Sequence, residues 1–304
     1  MTNIKKVTLI FAATFLLSTL GFIVSVILTT GFNSGIFFGI VPGGAEPQNE
    51  YLELSEEYFN ININVSSSKS VIKPSRDNVT RISYKAENIP TTLEARVEND
   101  ELYIREKWKL SFFNLFSLHD GGQLTIEIPE KEYNEILLRI ASGSLDTRGI
   151  SLECRELNVQ ASSGKMNISG IACEMLSAKI SSGEIEIDGV DFSEYTIACS
   201  SGRVTVNNAS GRGDVQVSSG DVTVNYADWN DYLNVMVSSG NVKLNLPPNA
   251  GMKVNGRILS GSVRYSLGED SGKLGTSSGA RFGGDNVQEV DISVSSGNVM
   301  FTAD

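Results

Sequence analysis

The chain has 304 residues, of which 40% are hydrophobic, and a formal net charge of −11. This length allows a membrane segment plus one extended domain or two compact ones. The 36 acidic and 25 basic residues give no sign of the basic patch that nucleic-acid-binding proteins carry, so no nucleic acid partner is expected.

An uncharged apolar segment occupies positions 7–30. Its 24 residues are enough for a helix that crosses the hydrocarbon core of a bilayer. The sequence therefore predicts a transmembrane helix over 7–30, and the lipid bilayer is the first predicted partner.

The distribution of lysines predicts the orientation of this helix. Lys5 and Lys6 precede it, and no basic residue follows before Lys69. The positive-inside bias then makes residues 1–6 a cytoplasmic tail and places the chain from residue 31 outside the cytoplasm. We predict a single-pass protein of the cell membrane with an extracytoplasmic C-terminal domain.

A cleaved signal peptide is the alternative to a retained anchor. The small residues at 43–45 would suit its cleavage site, although the apolar segment is long for a signal peptide. Residues 31–49 contain Gly and Pro without a regular apolar pattern, and they are predicted to be a linker.

Residues 50–139 alternate apolar and polar side chains in short bursts, as in Phe59–Val65 and Leu124–Ile128. This period predicts half-buried strands, so the segment is interpreted as an N-terminal β lead-in and cap. The aromatic-rich stretch 107–118 interrupts the alternation. It is either a loop that covers the open end of the core, which we favour, or an exposed loop that contacts a membrane or partner.

From residue 140 to 304 a Ser-Gly pair, usually preceded by a second Ser, recurs about every 20 residues. Its glycines are Gly143, Gly164, Gly183, Gly202, Gly220, Gly240, Gly261, Gly279 and Gly297. Apolar residues fall at odd distances before these glycines and at even distances after them. Because strand side chains alternate between faces, the chain must turn at each glycine. The predicted fold is an all-β parallel solenoid in which each Ser-Ser-Gly forms a corner between two strands.

Equivalent positions in successive repeats predict ladders of side chains about 4.8 Å apart. One ladder directly after the glycines would alternate in charge: Lys165, Glu184, Arg203 and Asp221. A second, five residues after the glycines, would consist of asparagines: Asn207, Asn225 and Asn245. Cys154 and Cys173 also occupy equivalent positions, either as two free thiols, which we favour, or as a disulfide.

The repeat weakens near the C-terminus. Around Gly279 the expected apolar position carries Arg281, and the apolar Phe282 comes one place late. Seven residues follow Gly297, without a polar cap. We therefore expect an open final strand that a partner or a second copy would cover.

The Ser-Ser-Gly corners at 161–164, 180–183, 217–220, 237–240 and 294–297, and the strand Leu124–Pro129 before them, resemble the bacterial "putative adhesin" β-strand-repeat family. The resemblance covers residues 50–304. It implies a parallel β-solenoid on exported or membrane-linked proteins, and it supplies no catalytic residues. It also implies a link to cell-envelope stress signalling, in which such domains act as regulatory surface partners.

Two motifs bear on function. Arg212, Gly213 and Asp214 form an Arg-Gly-Asp sequence in a predicted loop between repeats, which makes them a candidate recognition site. Glu186, Asp188 and Asp191 are a cluster of carboxylates, but no histidine base lies near them in the repeats. No Cys/His spacing or Asp-rich loop recurs, so neither a metal nor a cofactor is expected.

The sequence therefore favours a non-catalytic, adhesin-like surface protein that binds a protein or a glycan. The first alternative is a regulatory or scaffold partner in envelope stress signalling. The second is an enzyme acting on polysaccharides, which has the least support because no catalytic residues converge.

Overall fold

The structure is a computed structural model that describes residues 48–86, 91–108, 122–190, 192–275 and 277–303. The predicted tail, the predicted transmembrane segment, residues 31–47 of the predicted linker and most of the aromatic-rich stretch lie outside these residues. Within them, no helix has the length and apolar character needed to cross a membrane.

The described residues form strands joined by corners and short loops. The strands are β1 (Gln48–Leu54), β2 (Asn60–Val65), β3 (Lys69–Pro74), β4 (Thr80–Ala86), β5 (Thr91–Glu98), β6 (Glu101–Trp108), β7 (Gln123–Ile128), β8 (Glu132–Ile140), β9 (Ser144–Asp146), β10 (Leu152–Ala161), β11 (Lys165–Ser169), β12 (Ile171–Ile180), β13 (Glu184–Asp188), β14 (Glu194–Cys199), β15 (Arg203–Ala209), β16 (Arg212–Val217), β17 (Asp221–Tyr226), β18 (Leu233–Val237), β19 (Asn241–Leu246), β20 (Ala250–Ile258), β21 (Ser262–Leu267), β22 (Asp270–Leu274), β23 (Ser277–Gly283), β24 (Asn286–Val294) and β25 (Asn298–Ala303).

These strands form two sheets that share one apolar core. Sheet A has the order β1-β4-β7-β3-β9-β11-β13-β15-β17-β19-β25-β21-β22, and sheet B has the order β23-β20-β24-β18-β16-β14-β12-β10-β8-β2-β6-β5. In most repeats the chain runs along a sheet B strand, turns at a corner and continues along a sheet A strand. Each such pair is called a rung below. Rungs stack in parallel, which confirms the predicted all-β solenoid.

Alternating side chains explain why these segments form a two-layered core. In β10 and β17, for example, every second side chain near the corner is buried, and the intervening ones are partly or fully exposed. Val, Ile and Leu dominate the buried set, and β-branched residues favour the extended conformation.

The corners stack by backbone hydrogen bonds. Ser162 N–H donates to Ile140 O at 2.9 Å, and Ser163 N–H donates to Ala141 O at 2.7 Å, each reaching the preceding rung. At Gly183, an added Cβ would lie 2.0 Å from the carbonyl oxygen of Gly164. The repeated glycine is therefore required because stacked corners leave no room for a side chain.

The stacking order differs from the order along the chain at both ends. A corner at Ser66–Ser68, which has no glycine, stacks before Gly143, and Ser144 N–H donates to Ser68 O at 3.0 Å. At the other end Gly297 lies between Gly240 and Gly261, because β25 pairs with β19 on one side and β21 on the other. The last corner of the sequence is thus internal to the stack.

Two predictions about the C-terminal region are wrong. Gly279 is not a solenoid corner, since it lies within β23, which runs antiparallel to β20. The final strand is not open, since β25 has a partner on each side. Antiparallel strands form the sheet edges: β22 and β23 at this end, β1 and β5 at the other.

The predicted boundary between a lead-in at 50–139 and repeats at 140–304 falls inside β8. The described residues on both sides of it belong to one compact unit. Strands of the lead-in continue the same two sheets, with β2 beside β8 and β3 beside β9.

The asparagine ladder is confirmed. Asn225 donates its amide N–H to Asn207 Oδ1 at 2.6 Å, and Asn245 donates to Asn225 Oδ1. Thr302 extends the ladder by donating its hydroxyl to Asn245 Oδ1 at 2.6 Å.

The charged ladder and the cysteines lie in the predicted register. Lys165 Nζ lies 3.3 Å from Glu184 Oε2, and the next two ladder residues follow on adjacent strands. Cys154 and Cys173 are direct neighbours on β10 and β12, and both are buried free thiols. A hydrogen bond between the thiols and burial together raise the pKa of Cys154 far above its usual range.

The first corner of the stack is closed by a carboxylate. Since no earlier corner lies next to Ser66–Ser68 among the described residues, its N–H groups have no carbonyl partners there. Glu106 of β6 replaces them: its Oε2 accepts from the N–H groups of Ser66, Ser67 and Ser68 at 2.9, 2.9 and 3.2 Å. Its Oε1 accepts from the Ser68 hydroxyl at 2.7 Å. The side chain is only 2% exposed, although other rungs carry an apolar residue at this position.

Candidate functional site

A row of outward-facing side chains crosses sheet B next to the corners. In the repeats its members lie four positions before each stacked corner glycine, and adjacent strands align them in register. From the Ser66–Ser68 end these residues, called the corner row below, are Arg105, Asn64, Arg139, Gln160, Lys179, Ala198, Gln216, Met236, Ser293 and Arg257. The row contains four cations and no carboxylate, in a chain with a net charge of −11.

A shallow groove runs between the corner row and the exposed serines of the corners. It consists of two clefts of about 500 and 400 Å³, which share Ala198 and Ser200 in their lining. Buried side chains at the ends of the sheet B strands, such as Ile180 and Val217, form part of its lining. The clefts extend from Asn64 to Ser293 over eight strands, a length of about 34 Å at the usual strand spacing. This feature is called the corner groove below.

The charge of the corner groove is concentrated in its first half. Arg139 and Lys179 line the larger cleft, which contains no acidic side chain. The Arg139 Nε–H donates to Gln160 Oε1 at 3.2 Å, which orients the guanidinium along the row. Within the described part of the chain, neither cation forms an ion pair. Both are therefore available to an anionic ligand.

The second half of the groove is neutral and rich in hydroxyl groups. Its lining includes Ser200, Ser218, Ser238 and Ser295, with Gln216 and the exposed Met236 beside them. Serine hydroxyls both donate and accept hydrogen bonds, and here they recur once per rung. The groove therefore offers the same polar contact repeatedly along one direction, an arrangement that suits an extended ligand.

Sequence reasoning missed the corner groove, although the sequence contains a signal for it. The position four residues before the corner glycines lacks acids in all eight stacked repeats and carries Arg139, Lys179 and Arg257.

The Arg-Gly-Asp sequence does not lie in a loop, so that prediction is wrong. Arg212, Gly213 and Asp214 belong to β16, which lies between β14 and β18 within sheet B. Gly213 is buried, and a Cβ there would lie 2.3 Å from the ring of Tyr195. Asp214 accepts hydrogen bonds of 3.0 Å from Gln216 and from Asn234. A central strand does not present these residues as a protruding loop would.

Arg212 packs over Tyr232, which directly precedes β18. Its guanidinium carbon lies 5.3 Å from the ring centre of Tyr232. The Tyr232 hydroxyl donates to Asp291 Oδ2 at 2.7 Å, and this bond to a carboxylate raises the pKa of Tyr232 to about 12. The motif is thus explained by packing within sheet B.

Two of the carboxylates singled out in the sequence, Glu186 and Asp188, lie on β13 of sheet A and do not line the corner groove. Glu186 of β13 aligns with Asn167 and Thr205 on the adjacent strands. Asp188 accepts a hydrogen bond of 3.3 Å from Asn208, while Asp191 lies outside the described residues. Among the residues that the structure describes, no three His, Cys, Asp or Glu side chains gather closely enough to hold a metal ion.

Comparison with known families gives one match, to the family described as Toastrack DUF4097, over residues 58–302. The chain belongs to this family. The matched range extends from the end of the β1–β2 loop to β25, so the Toastrack domain includes the predicted lead-in from residue 58 onward and all the stacked corners. No curated protein matches the chain.

Two solved structures share the fold of this Toastrack domain. A protein from Bacteroides fragilis, described as a "putative adhesin", is 12% identical and has a TM-score of 0.51; the alignment covers 85% of this chain and 98% of that one. A protein from Parabacteroides distasonis, described as a "putative lipid binding protein", is 19% identical with the same TM-score and the same coverage. At these identities the similarity concerns the fold alone.

Proposed function

We propose that the protein is a membrane-anchored, extracytoplasmic surface-binding protein of the adhesin type, and that the corner groove is its binding face. The observation that supports this most is the groove itself, which combines repeated serine hydroxyls with the unpaired cations Arg139 and Lys179. Binding an extended ligand needs many similar contacts along one direction, whereas catalysis needs different groups converging on one point. The groove has the first arrangement.

The descriptions of the two similar structures agree with a binding role. One is described as an adhesin and the other as a lipid-binding protein. Between these, the polar second half of the corner groove and the cations of its first half favour a hydrophilic ligand over an acyl chain, because apolar pockets are what lipid tails require.

The location follows from the sequence pattern and is part of the proposal. The helix predicted at 7–30 would hold the Toastrack domain outside the cytoplasm. Labelling of intact cells with a membrane-impermeant amine reagent tests this. We expect modification of exposed lysines such as Lys243 in intact cells; labelling only after lysis would contradict the proposal.

The binding role is tested with the full-length chain in cell membranes. Ala198 lies at the junction of the two clefts, so Ala198→Trp should obstruct the corner groove. Thr205→Trp is the matched control, because Thr205 is also half-buried and faces outward on the sheet A strand of the same rung. We expect the first variant to lose retention of labelled cell-envelope material and the second to keep it. Equal retention by both variants would overturn the proposal.

The predicted alternative, a regulatory partner in envelope stress signalling, gives a different result. Such a protein would depend on contacts made by the membrane helix, so replacing 7–30 by an unrelated apolar helix would abolish its function. A surface-binding protein would keep its ligand after this exchange.

A further inference from the structure

The distribution of charge on the outer face of sheet B identifies the chemical class of the ligand. Close to the corners the corner row holds cations without acids, whereas four positions farther along the same strands lie Glu135, Glu156 and Glu194. The cations of the corner row attract an anionic ligand, and the glutamates repel it. The row of glutamates would therefore confine such a ligand to the corner groove.

The spacing of the cations favours a polymer over a small anion. Arg139 and Lys179 are separated by one intervening strand, so their backbones lie about 10 Å apart. Beyond Lys179 the groove continues over further strands with serine hydroxyls and no charge as far as Ser293. A small ion would leave most of this length empty, whereas a chain rich in hydroxyl groups could contact every rung.

We propose that the corner groove binds an acidic polymer rich in hydroxyl groups, with Arg139 and Lys179 contacting its anionic groups and the corner serines contacting its hydroxyl groups. This inference rests on the proposed function and adds the class of ligand. The anionic group is either a carboxylate, as in a uronic acid polymer, or a phosphate, as in a polyol phosphate polymer. Both are recognised by guanidinium and ammonium groups through charge-assisted hydrogen bonds.

The test measures binding of the full chain, reconstituted in uncharged lipid nanodiscs, to three probes. Polygalacturonate carries carboxylates, poly(glycerol phosphate) carries phosphates, and dextran is neutral. We expect at least one polyanion to bind more tightly than dextran and to weaken as salt rises from 50 to 500 mM, because exposed charges are screened. The tighter of the two polyanions identifies the anionic group.

The variant Arg139→Gln with Lys179→Gln should weaken polyanion binding about tenfold. The matched control is Arg203→Gln with Lys243→Gln, which removes the same charge from exposed positions on sheet A. We expect less than a twofold change for the control. Circular dichroism and the melting temperature show whether each variant is folded. If a double variant does not fold, its two single substitutions are measured instead.

Three results would overturn the inference. The first is that both double variants weaken polyanion binding equally, which would mean that net charge alone determines the affinity. The second is that the wild-type chain binds neither polyanion. The third is that dextran binds as tightly as both polyanions. If any of them occurs while Ala198→Trp still abolishes capture of envelope material, the groove binds but the ligand class is wrong. If Ala198→Trp also has no effect, the proposed function itself fails.

Discussion

Replacing Glu106 by alanine removes the carboxylate that closes the first corner. Its two oxygens accept three backbone N–H groups and the hydroxyls of Ser67, Ser68 and Tyr84. Ser68 and Tyr84 are fully buried, but the Tyr84 hydroxyl keeps its hydrogen bond to Thr91 when Glu106 is removed. Without the carboxylate, both donors of Ser68 lose their acceptor. A buried donor left without a partner costs about 1–3 kcal/mol, so two at about 1.5 kcal/mol each give a loss of about 3 kcal/mol. Ser66 and Ser67 are half-exposed residues, so water should replace the acceptor of their N–H groups at little further cost.

Urea denaturation and amide hydrogen exchange measure this loss. Whole domains of this size are stabilised by about 5–15 kcal/mol, so a loss of about 3 kcal/mol should lower the urea midpoint clearly. In a stacked array each rung interacts with its neighbours, so exchange should rise first at Ser66–Ser68 and the adjoining strands. Glu153→Ala is the control, since Glu153 is an exposed carboxylate on β10 of the same sheet. Unchanged exchange at Ser66–Ser68 in the Glu106 variant would refute the assigned role.

Three further predictions concern the packing of the sheets. Gly213→Ala should lower the free energy of unfolding by about 1–3 kcal/mol, because its Cβ would collide with the Tyr195 ring. Gly275→Ala is the control and should be nearly neutral, since no atom lies within 4 Å of the new Cβ. Equal melting temperatures of the two variants would contradict this prediction. Asn225→Ala should lower the free energy of unfolding by about 1–2 kcal/mol in urea denaturation, since it removes the hydrogen bonds that Asn207 and Asn245 make to the middle of the amide ladder. A change below about 0.5 kcal/mol, the usual limit for surface substitutions, would show that water replaces the ladder. The raised pKa of Cys154 keeps its thiol protonated in the folded protein, so its contribution to stability should be complete below about pH 8.5 and fall above it, where the unfolded thiol ionises. The urea midpoint should therefore decline less between pH 8 and pH 10 in Cys154→Ala than in the wild-type chain, and parallel declines would contradict the assignment.

The sequence predicted the corners because the same contact recurs in every repeat. Each glycine is required by the close approach of the preceding corner in the stack, and the alternation around it follows from strand geometry. The stacking of Gly143 to Gly240 in chain order could therefore be inferred. The Ser66–Ser68 corner was missed because it makes the same backbone hydrogen bonds without a glycine.

The order of the last rungs could not be inferred from the sequence. The corners at Gly240, Gly261 and Gly297 are chemically alike, so spacing does not reveal which of them are neighbours. The structure shows that β24 and β25 pair with the rung of β18 and β19, while β20 and β21 lie beyond them. Likewise, the groove depends on which outward residues align, and this is a property of the assembled stack.

The internal position of β24 and β25 makes the folding of this array depend on its final residues. Residues 250–283 are synthesised earlier, yet their parallel partners β24 and β25 lie at 286–303. Until that late segment arrives, β20 and β21 have no parallel neighbour, and β18 and β19 each have one unpaired edge. Such exposed edges are sites of mispairing. A chain cut short by twenty residues would therefore lose the link between two parts of the stack rather than one repeat from its end. Such an incomplete copy should be an effective substrate for proteases.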